Sequence, residues 1–186
     1  MSTLRNKTAL VTGASRGIGR ATAMALAAAG AHVIVHYGRS AQEAESVVEA
    51  IHDKGGLTQA ISADLSSPDG PMLLAKHVRS MIGERLDVLI LNAGISKAAR
   101  IADYTAEDFD NLFATNVRGP FFLVQQLQPI LGEGSNIVVI SSVVPAAWWA
   151  SQGWTIRRSS PTPRPRVRLR RWSRIGPLSS GRRAYA

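Results

Sequence analysis

The sequence contains no cysteine, which excludes disulfide bonds and thiolate metal sites. Its four histidines have no metal-ligand spacing, so no metal site is predicted. No stretch approaches the roughly 18 apolar residues that a membrane span needs. The first residues, MSTLRNKTALV, lack the apolar run of a signal peptide. These absences favour a cytoplasmic protein that does not associate with membranes.

Acidic residues and lysine are missing from one segment of the chain. From Arg157 to Ala186 there are ten arginines and no Asp, Glu or Lys. The other residues carry 12 of the 22 basic side chains against all 13 acidic ones, so the arginine-rich segment alone makes the protein basic. A length of 186 residues and a hydrophobic content of 45% suit one domain with a buried core.

Short apolar runs and helical patterns alternate along the rest of the chain. Strands are predicted over residues 8–13, 32–38, 58–65, 86–94 and 135–142. Helices are predicted over residues 19–30, 41–56, 70–85 and 105–131, and the last of them opens on Thr105 as an N-cap. This alternation predicts an α/β fold, in which about five parallel strands are joined by right-handed helical crossovers.

A glycine-rich stretch, TGASRGIG (residues 12–19), joins the first strand to the first helix. Closely spaced glycines let a backbone approach a pyrophosphate, and free N–H groups at the helix N-terminus bind its charge. Gly13, Gly17 and Gly19 follow the spacing G-x3-G-x-G rather than the more familiar G-x-G-x-x-G. Alone, such a stretch could equally be a turn that only closes the chain tightly.

Two further groups lie at the ends of later strands. Asp64 and Leu65 lie at the carboxyl end of the third predicted strand, and the run Asn92, Ala93 and Gly94 lies at the carboxyl end of the fourth. An open α/β sheet binds its ligand at the carboxyl ends of its strands. Together with the glycine-rich stretch, these positions therefore predict a dinucleotide site.

With these motifs the sequence resembles the short-chain dehydrogenase/reductase family over residues 4–144, and in particular its 3-oxoacyl-carrier-protein reductase-like members. The resemblance implies a Rossmann-like doubly wound parallel sheet, here incomplete at the C-terminus. It implies NAD(P)-dependent oxidoreduction of a small-molecule carbonyl or alcohol, of ketone or 3-oxoacyl type. The residues it assigns to the pyrophosphate, the adenine and the ribose are Gly13, Ser15, Arg16, Gly17, Ile18, Gly19, Asp64, Leu65, Asn92, Ala93 and Gly94.

The resemblance also assigns catalytic roles. Ser142 matches the family's catalytic Ser and Asn116 its catalytic Asn, although Ser142 could instead satisfy backbone groups at a strand end and Asn116 could simply be solvated. The family adds a Y-x-x-x-K pair, in which the Tyr protonates the developing alkoxide and the Lys lowers the pKa of the Tyr. Here the only Tyr after Ser142 is Tyr185, and no Lys follows Lys97. We therefore expect the chain as given to be catalytically defective.

Two explanations of the arginine-rich segment compete. Clustered arginines broken by prolines resemble a disordered nucleic-acid-binding arm, because they release counterions from phosphates. A selected basic arm would normally mix Lys with Arg, however, whereas Arg, Pro, Ser, Gly and Ala are what GC-rich DNA encodes in a wrong frame. In one shifted frame, the codons of residues 159–167 permit a Tyr and a Lys four positions apart. We therefore predict a frameshift near residues 143–147, a nucleotide-binding domain over residues 1–144 and a disordered out-of-frame tail over residues 145–186. Nucleic-acid binding by that tail is not the favoured interpretation.

The end of the second strand bears on cofactor choice. It reads VIVHYGRS, with no acid to hold the ribose hydroxyls of NAD. Arg39 and Arg16 are placed to meet a 2′-phosphate, unless they are ordinary surface charges. The sequence thus predicts NADP(H) rather than NAD(H).

The helix over residues 105–131 carries more apolar surface than one sheet face is expected to cover. Its large apolar residues include Phe109, Leu112, Phe113, Phe121, Phe122 and Leu127. In the family this helix packs on a following helix and on a partner subunit. Because that following helix has no counterpart in this sequence, we expect low solubility and do not expect the family's homo-oligomer. A non-enzymatic dinucleotide binder is the alternative function.

Overall fold

The computed structural model describes residues 3–141, apart from the side chain of Ile101. Its five strands are β1 (Thr8–Val11), β2 (His32–Tyr37), β3 (Leu57–Ser62), β4 (Val88–Leu91) and β5 (Asn136–Val139). They form one sheet in the order β3-β2-β1-β4-β5, and every pairing is parallel. The predicted α/β fold is confirmed.

Within residues 3–141, five α-helices connect the strands, and they cover both faces of the sheet. They are α1 (Gly17–Ala28), α2 (Ala41–His52), α3 (Gly70–Ile82), α4 (Ala106–Phe113) and α5 (Gly119–Leu127). On one face, α1 and α2 bury small and β-branched side chains such as Ala23 and Val47 against Val33 and Val35. On the other face, α3 and α5 bury leucines such as Leu74 and Leu123. The result is a three-layer core, as expected for a doubly wound sheet.

The strand order reverses beside β1. The chain first builds β1, β2 and β3 outward in one direction, and then crosses back to place β4 and β5 on the other side of β1. The connections that leave β1 and β4 therefore diverge at the carboxyl edge of the sheet. An open crevice at this reversal is where doubly wound folds bind ligands.

The helix predicted over residues 105–131 begins as expected but is not a single α-helix. Thr105 caps α4 with a capping box, in which its hydroxyl accepts from the Asp108 N–H at 3.1 Å. Between α4 and α5 the backbone widens into a π turn at Ala114–Arg118. Pro120 lacks an N–H, so it cannot continue the α-helical hydrogen-bond ladder, and the turn accommodates this loss. The expectation of an uninterrupted helix was wrong at this point.

Several large apolar side chains lie uncovered on α4, α5 and β5. Phe109, Phe113, Phe121 and Phe122 are all exposed, as the sequence led us to expect, and every residue of β5 is exposed too. Leu127 differs from that expectation, because it is fully buried against the sheet, and Leu112 is half-buried. Within residues 3–141, no helix combines the length and apolarity needed to cross a membrane.

Candidate functional site

The stretches that the sequence singled out meet at the carboxyl edge of the sheet. The glycine loop (residues 12–19) follows β1, and Asn92, Ala93 and Gly94 follow the adjacent β4. Asp64 and Leu65 follow β3, which lies on the far side of β2. Because all the strands are parallel, the three stretches share one edge, on either side of the reversal in strand order.

Thr12 joins the two central loops. Its side chain is buried, and its hydroxyl donates to the Ile90 carbonyl at 3.2 Å. The same oxygen accepts from the backbone N–H groups of Asn92 at 2.9 Å and Ala93 at 3.0 Å. One hydroxyl therefore uses both its donor and its acceptor capacity to fix the loop after β4 against the loop after β1.

The Asn92 side chain holds the same junction from the other direction. Its Nδ2 group donates to the carbonyl oxygens of Thr12 and Gly13, both at 3.0 Å. Asn92 is one of the residues that the family resemblance assigned to the cofactor. In the structure its amide shapes the start of the glycine loop.

Two glycines allow this loop to pack closely. Gly13 has φ +63°, and a Cβ atom there would lie 2.8 Å from the Cα of Ala93. A Cβ atom at Gly19 would lie 2.3 Å from the Gly13 carbonyl oxygen and 2.5 Å from Asn92 Nδ2. Larger residues would therefore push the loop away from the helix and from β4.

The N-terminus of α1 is open to an anion. Arg16 is the N-cap, its backbone is extended, and no side chain accepts a hydrogen bond from the first turn. That turn contains no acidic residue, and Gly17 and Ile18 in it are exposed. The first N–H groups of a helix have no partner within the helix, and the helix dipole makes this end positive. The glycine cradle and these free donors fit the pyrophosphate of a dinucleotide.

Arginine dominates the electrostatics around this opening. Arg16 and Arg39 are both exposed, and neither forms a salt bridge within residues 3–141. Hydrogen bonds from Ser66 lower the pKa of the Asp64 carboxyl, and the charge of Arg39 lowers it further. Arg39 therefore lies close enough to Asp64 to influence it, yet its guanidinium group remains available to a ligand.

The loop after β3 is braced by the π turn. Asp64 Oδ1 accepts from the Ser66 N–H at 2.9 Å and from its hydroxyl at 2.6 Å, while the Leu65 side chain is buried in the core. From the π turn, the Arg118 guanidinium donates to the Ser66 carbonyl. Gly119 follows directly, and a Cβ atom there would lie 2.6 Å from the Leu65 carbonyl oxygen. The widened helix thus packs directly against this loop.

Asn116, in the same π turn, braces the loop after β4. Its Oδ1 accepts from the Ile95 N–H at 2.8 Å, and its Nδ2 donates to the Ile95 carbonyl at 2.9 Å. A Cβ atom built on Gly94 would lie 3.2 Å from the same Oδ1. The Asn116 amide is therefore engaged by the backbone rather than merely solvated. The structure brings Asn116 to the end of the Asn92–Gly94 run.

A buried histidine links the loops after β1 and β3. His36, on β2, accepts from the Gly13 N–H through Nδ1 at 3.2 Å, and its Nε2 lies 3.1 Å from the Ala63 carbonyl oxygen. It is only 2% exposed. Burial lowers the pKa of this imidazole to about 4, although the bond to Ala63 acts in the opposite direction. His36 is therefore neutral at pH 7.

Sequence reasoning missed three residues of this site. Thr12 lies within the glycine motif but has no predicted role of its own, and the sequence predicts for His36 only that it is not a metal ligand. Its polar side chain inside a buried strand was the available signal, because buried polar groups need partners. Nothing in the sequence pointed to Arg118. Ser142 lies outside the described residues, and those residues contain no cluster of three or more His, Cys, Asp or Glu suited to a metal ion.

Known proteins are similar to this chain in sequence. The chain is 39% identical over 142 residues to a trihydroxynaphthalene reductase of Colletotrichum orbiculare, an alignment that covers 76% of this chain and 50% of the relative. It is 43% identical over 140 residues to versicolorin reductase 1 of Aspergillus parasiticus, which covers 75% and 53% respectively. The chain thus spans about half the length of these curated relatives.

Solved structures are similar to this chain in both fold and sequence. Landomycin C-6 ketoreductase LanV, with bound NADP and rabelomycin, superposes with a TM-score of 0.72 at 36% identity, covering 82% of this chain and 67% of that one. A short-chain dehydrogenase from Burkholderia cenocepacia, in complex with NADP, superposes with a TM-score of 0.70 at 37% identity, covering 80% and 63%. The family model of the short chain dehydrogenases matches residues 7–153. The chain belongs to the short-chain dehydrogenase/reductase family.

Proposed function

We propose that the chain binds NADP(H) at the loops that follow β1 to β4. One observation carries the proposal: the open first turn of α1 lies at the same sheet edge as two arginines, Arg16 and Arg39, that have no salt-bridge partner within residues 3–141. Such an arrangement attracts the anionic groups of a dinucleotide. NADP differs from NAD by a 2′-phosphate, for which arginine is a preferred partner. The NADP held by LanV and by the Burkholderia enzyme supports the same choice.

Each loop then has its own part in binding. The N–H groups of the glycine loop and of the first turn of α1 hold the pyrophosphate, while Arg16 and Arg39 meet the 2′-phosphate. Asp64 and the backbone of Leu65 lie beside the adenine, and the run from Asn92 to Gly94 lies on the ribose side. When bound, the nicotinamide supplies or accepts a hydride.

We infer that the reaction associated with this chain, through its family, is carbonyl reduction or alcohol oxidation. The substrate is a small molecule of ketone or 3-oxoacyl type. Ser142 is proposed to bind the substrate oxygen, and Asn116 to position the loop beside it. No Y-x-x-x-K follows Ser142 in this sequence, so the developing alkoxide lacks its proton donor. We therefore expect the 186-residue chain to bind the cofactor without turnover. Non-enzymatic dinucleotide binding is thus the second candidate function.

The test is a comparison of cofactor affinities. NADPH and NADH are titrated against the 186-residue chain and its Arg39→Ala variant by calorimetry, with Arg79→Ala as the control. Arg79 is also exposed, but it lies in the last turn of α3, toward the opposite edge of the sheet. We expect NADPH to bind more tightly than NADH, and Arg39→Ala to narrow the difference by roughly 10-fold, which is the effect of one charge-assisted hydrogen bond. Tighter binding of NADH would refute the proposed specificity.

The cellular setting belongs to the same proposal. We place the protein in the cytoplasm, which agrees with its lack of cysteine, and we expect no role for nucleic acid. A salt series with single-stranded DNA, on the full chain and on residues 1–144, tests the second point. Salt-dependent binding that is lost with residues 145–186 would show that the arginines bind nucleic acid after all.

A further inference from the structure

His36 is a buried polar group for which the proposed function has no role. It lies on β2, between β1 and β3, at the carboxyl edge of the sheet. The paired residues of β1 and β2 end at Val11 and Val35, and those of β2 and β3 end at Tyr37 and Ser62. Beyond them, the Ala14 N–H donates to the His36 carbonyl at 2.8 Å and the Ala63 N–H donates to the Tyr37 carbonyl at 3.1 Å. The His36 ring adds a side-chain contact on each side, to Gly13 and to Ala63.

The two contacts determine how the ring is protonated. The Gly13 N–H can only donate, so Nδ1 must carry a free lone pair, and the Ala63 carbonyl can only accept, so Nε2 must carry the proton. A neutral imidazole with the proton on Nε2 satisfies both partners at once. The imidazolium would direct a second N–H at the Gly13 N–H and would place a charge where the side chain is 2% exposed.

The ring therefore acts as a rigid spacer between two loops. Gly13 opens the glycine loop, and Ala63 directly precedes Asp64 in the loop after β3. Both nitrogens belong to one planar ring, so neither loop can shift without loss of one hydrogen bond. A flexible side chain of similar length could make either bond, but it would not hold the two loops at a fixed separation.

We propose that His36 is a positioning residue for the cofactor, which sets the separation between the pyrophosphate loop and the loop beside the adenine. This inference rests on the proposed function, because NADP(H) must contact both loops at once. The smaller ligand 2′,5′-ADP occupies mainly the adenine side of the site, so its binding depends less on the separation between the two loops. NADPH and 2′,5′-ADP therefore differ in their sensitivity to His36.

Three variants separate the two bonds. In His36→Asn the amide oxygen replaces Nδ1 and retains the bond from Gly13, whereas in His36→Gln the amide nitrogen replaces Nε2 and retains the bond to Ala63. His36→Leu removes both bonds. His32→Gln is the matched control, because His32 lies on the same strand at its opposite end. Dissociation constants for NADPH and 2′,5′-ADP are measured together with the melting temperature of each chain.

We expect each single-bond variant to weaken NADPH binding on the order of 10-fold, and His36→Leu to weaken it more, while 2′,5′-ADP affinity changes less than about 3-fold. The control should bind both ligands as the wild type does. A purely structural role would lower the melting temperature and either leave both dissociation constants unchanged or raise them equally, and this result would overturn the proposal. Failure of the wild-type chain to bind NADPH would instead overturn the proposed function.

A measurement on the wild-type chain needs no variant. The ¹⁵N resonances of His36 should show a proton on Nε2 and a free Nδ1 at pH 7, and the Nδ1 resonance should move when NADPH is added, since its donor Gly13 opens the pyrophosphate loop. A proton on Nδ1, or an Nδ1 resonance that stays in place at saturating NADPH, would contradict the proposal even if the variants fail to fold.

Discussion

Acidification below pH 6.5 should weaken the folded state through His36. Burial lowers the pKa of this side chain from 6.5 to about 4, against the opposing effect of its bond to Ala63. Between these values the unfolded chain binds a proton that the folded chain does not, so the free energy of unfolding falls as the pH falls. Each pH unit is worth about 1.4 kcal/mol, so the loss approaches about 3 kcal/mol near pH 4. That is a large part of a typical stability of about 5–15 kcal/mol.

Urea unfolding at low micromolar concentration, repeated between pH 7.5 and pH 4.5, measures this loss. His32 also has a pKa lowered by burial, which adds a slope of the same sign, so the comparison must be with a chain that lacks only His36. His36→Asn should be less stable than the wild type at pH 7.5, because it has lost the bond to Ala63, and the two curves should converge as the pH falls. Parallel curves over the whole range would refute the assignment of the acid sensitivity to His36.

Four further outcomes are expected. Gly19→Ala should weaken NADPH binding roughly 10-fold or more, because its methyl group would collide with the glycine loop, whereas Gly132→Ala, with only ordinary contacts, should not. Burial raises the pKa of Asp87, but the Thr8 amide, Arg85 and Lys7 together lower it to about 2. Asp87→Asn should therefore reduce the free energy of unfolding in urea at pH 7 by about 2 kcal/mol. The difference in stability between the two chains should shrink as the pH falls below 3.8 toward 2. Phe121→Gln should reduce the binding of a hydrophobic dye and the tendency to aggregate, since this ring is 65% exposed; unchanged dye binding would mean that the uncovered helix face is not its cause. The 186-residue chain should show no NADPH-dependent carbonyl reduction, and insertion of one base near the codons of residues 143–147 should restore it; turnover by the chain itself would contradict this.

The strands and most of the helices could be predicted from local patterns. Buried parallel strands appear as short apolar runs, and the amphipathic helices between them repeat every three to four residues, so each element is visible within its own segment. The π turn at Ala114–Arg118 was not predicted, although the Gly119-Pro120 pair lies beside it. Its contacts, from Arg118 to Ser66 and from Asn116 to Ile95, join residues 52 and 21 positions apart. Tertiary contacts of this kind leave no periodicity in a sequence.

In the candidate site, too, local features could be predicted from the sequence and tertiary contacts could not. The motifs after β1, β3 and β4 were recognised because spacing and residue type alone identify them. The roles of Thr12 and His36 were not, because their partners lie 78 and 27 residues away along the chain, at Ile90 and Ala63. A polar side chain in a buried strand indicates that a hydrogen-bond partner is needed, but only the folded structure shows which residue supplies it.

The position of the π turn in the sequence determines when its contacts can form during translation. The glycine loop and the loops after β3 and β4 have all been synthesised by residue 95, yet the side chains that hold two of them, Asn116 and Arg118, come later. At typical rates of about 5–20 residues per second, the ribosome adds this interval in a few seconds. Because residues leave the ribosomal exit tunnel in the order of their synthesis, these loops also emerge before Asn116 and Arg118 can brace the loops after β3 and β4. A cellular pool of NADP(H) could then bind and stabilise the half-built domain while the rest of the chain is being translated.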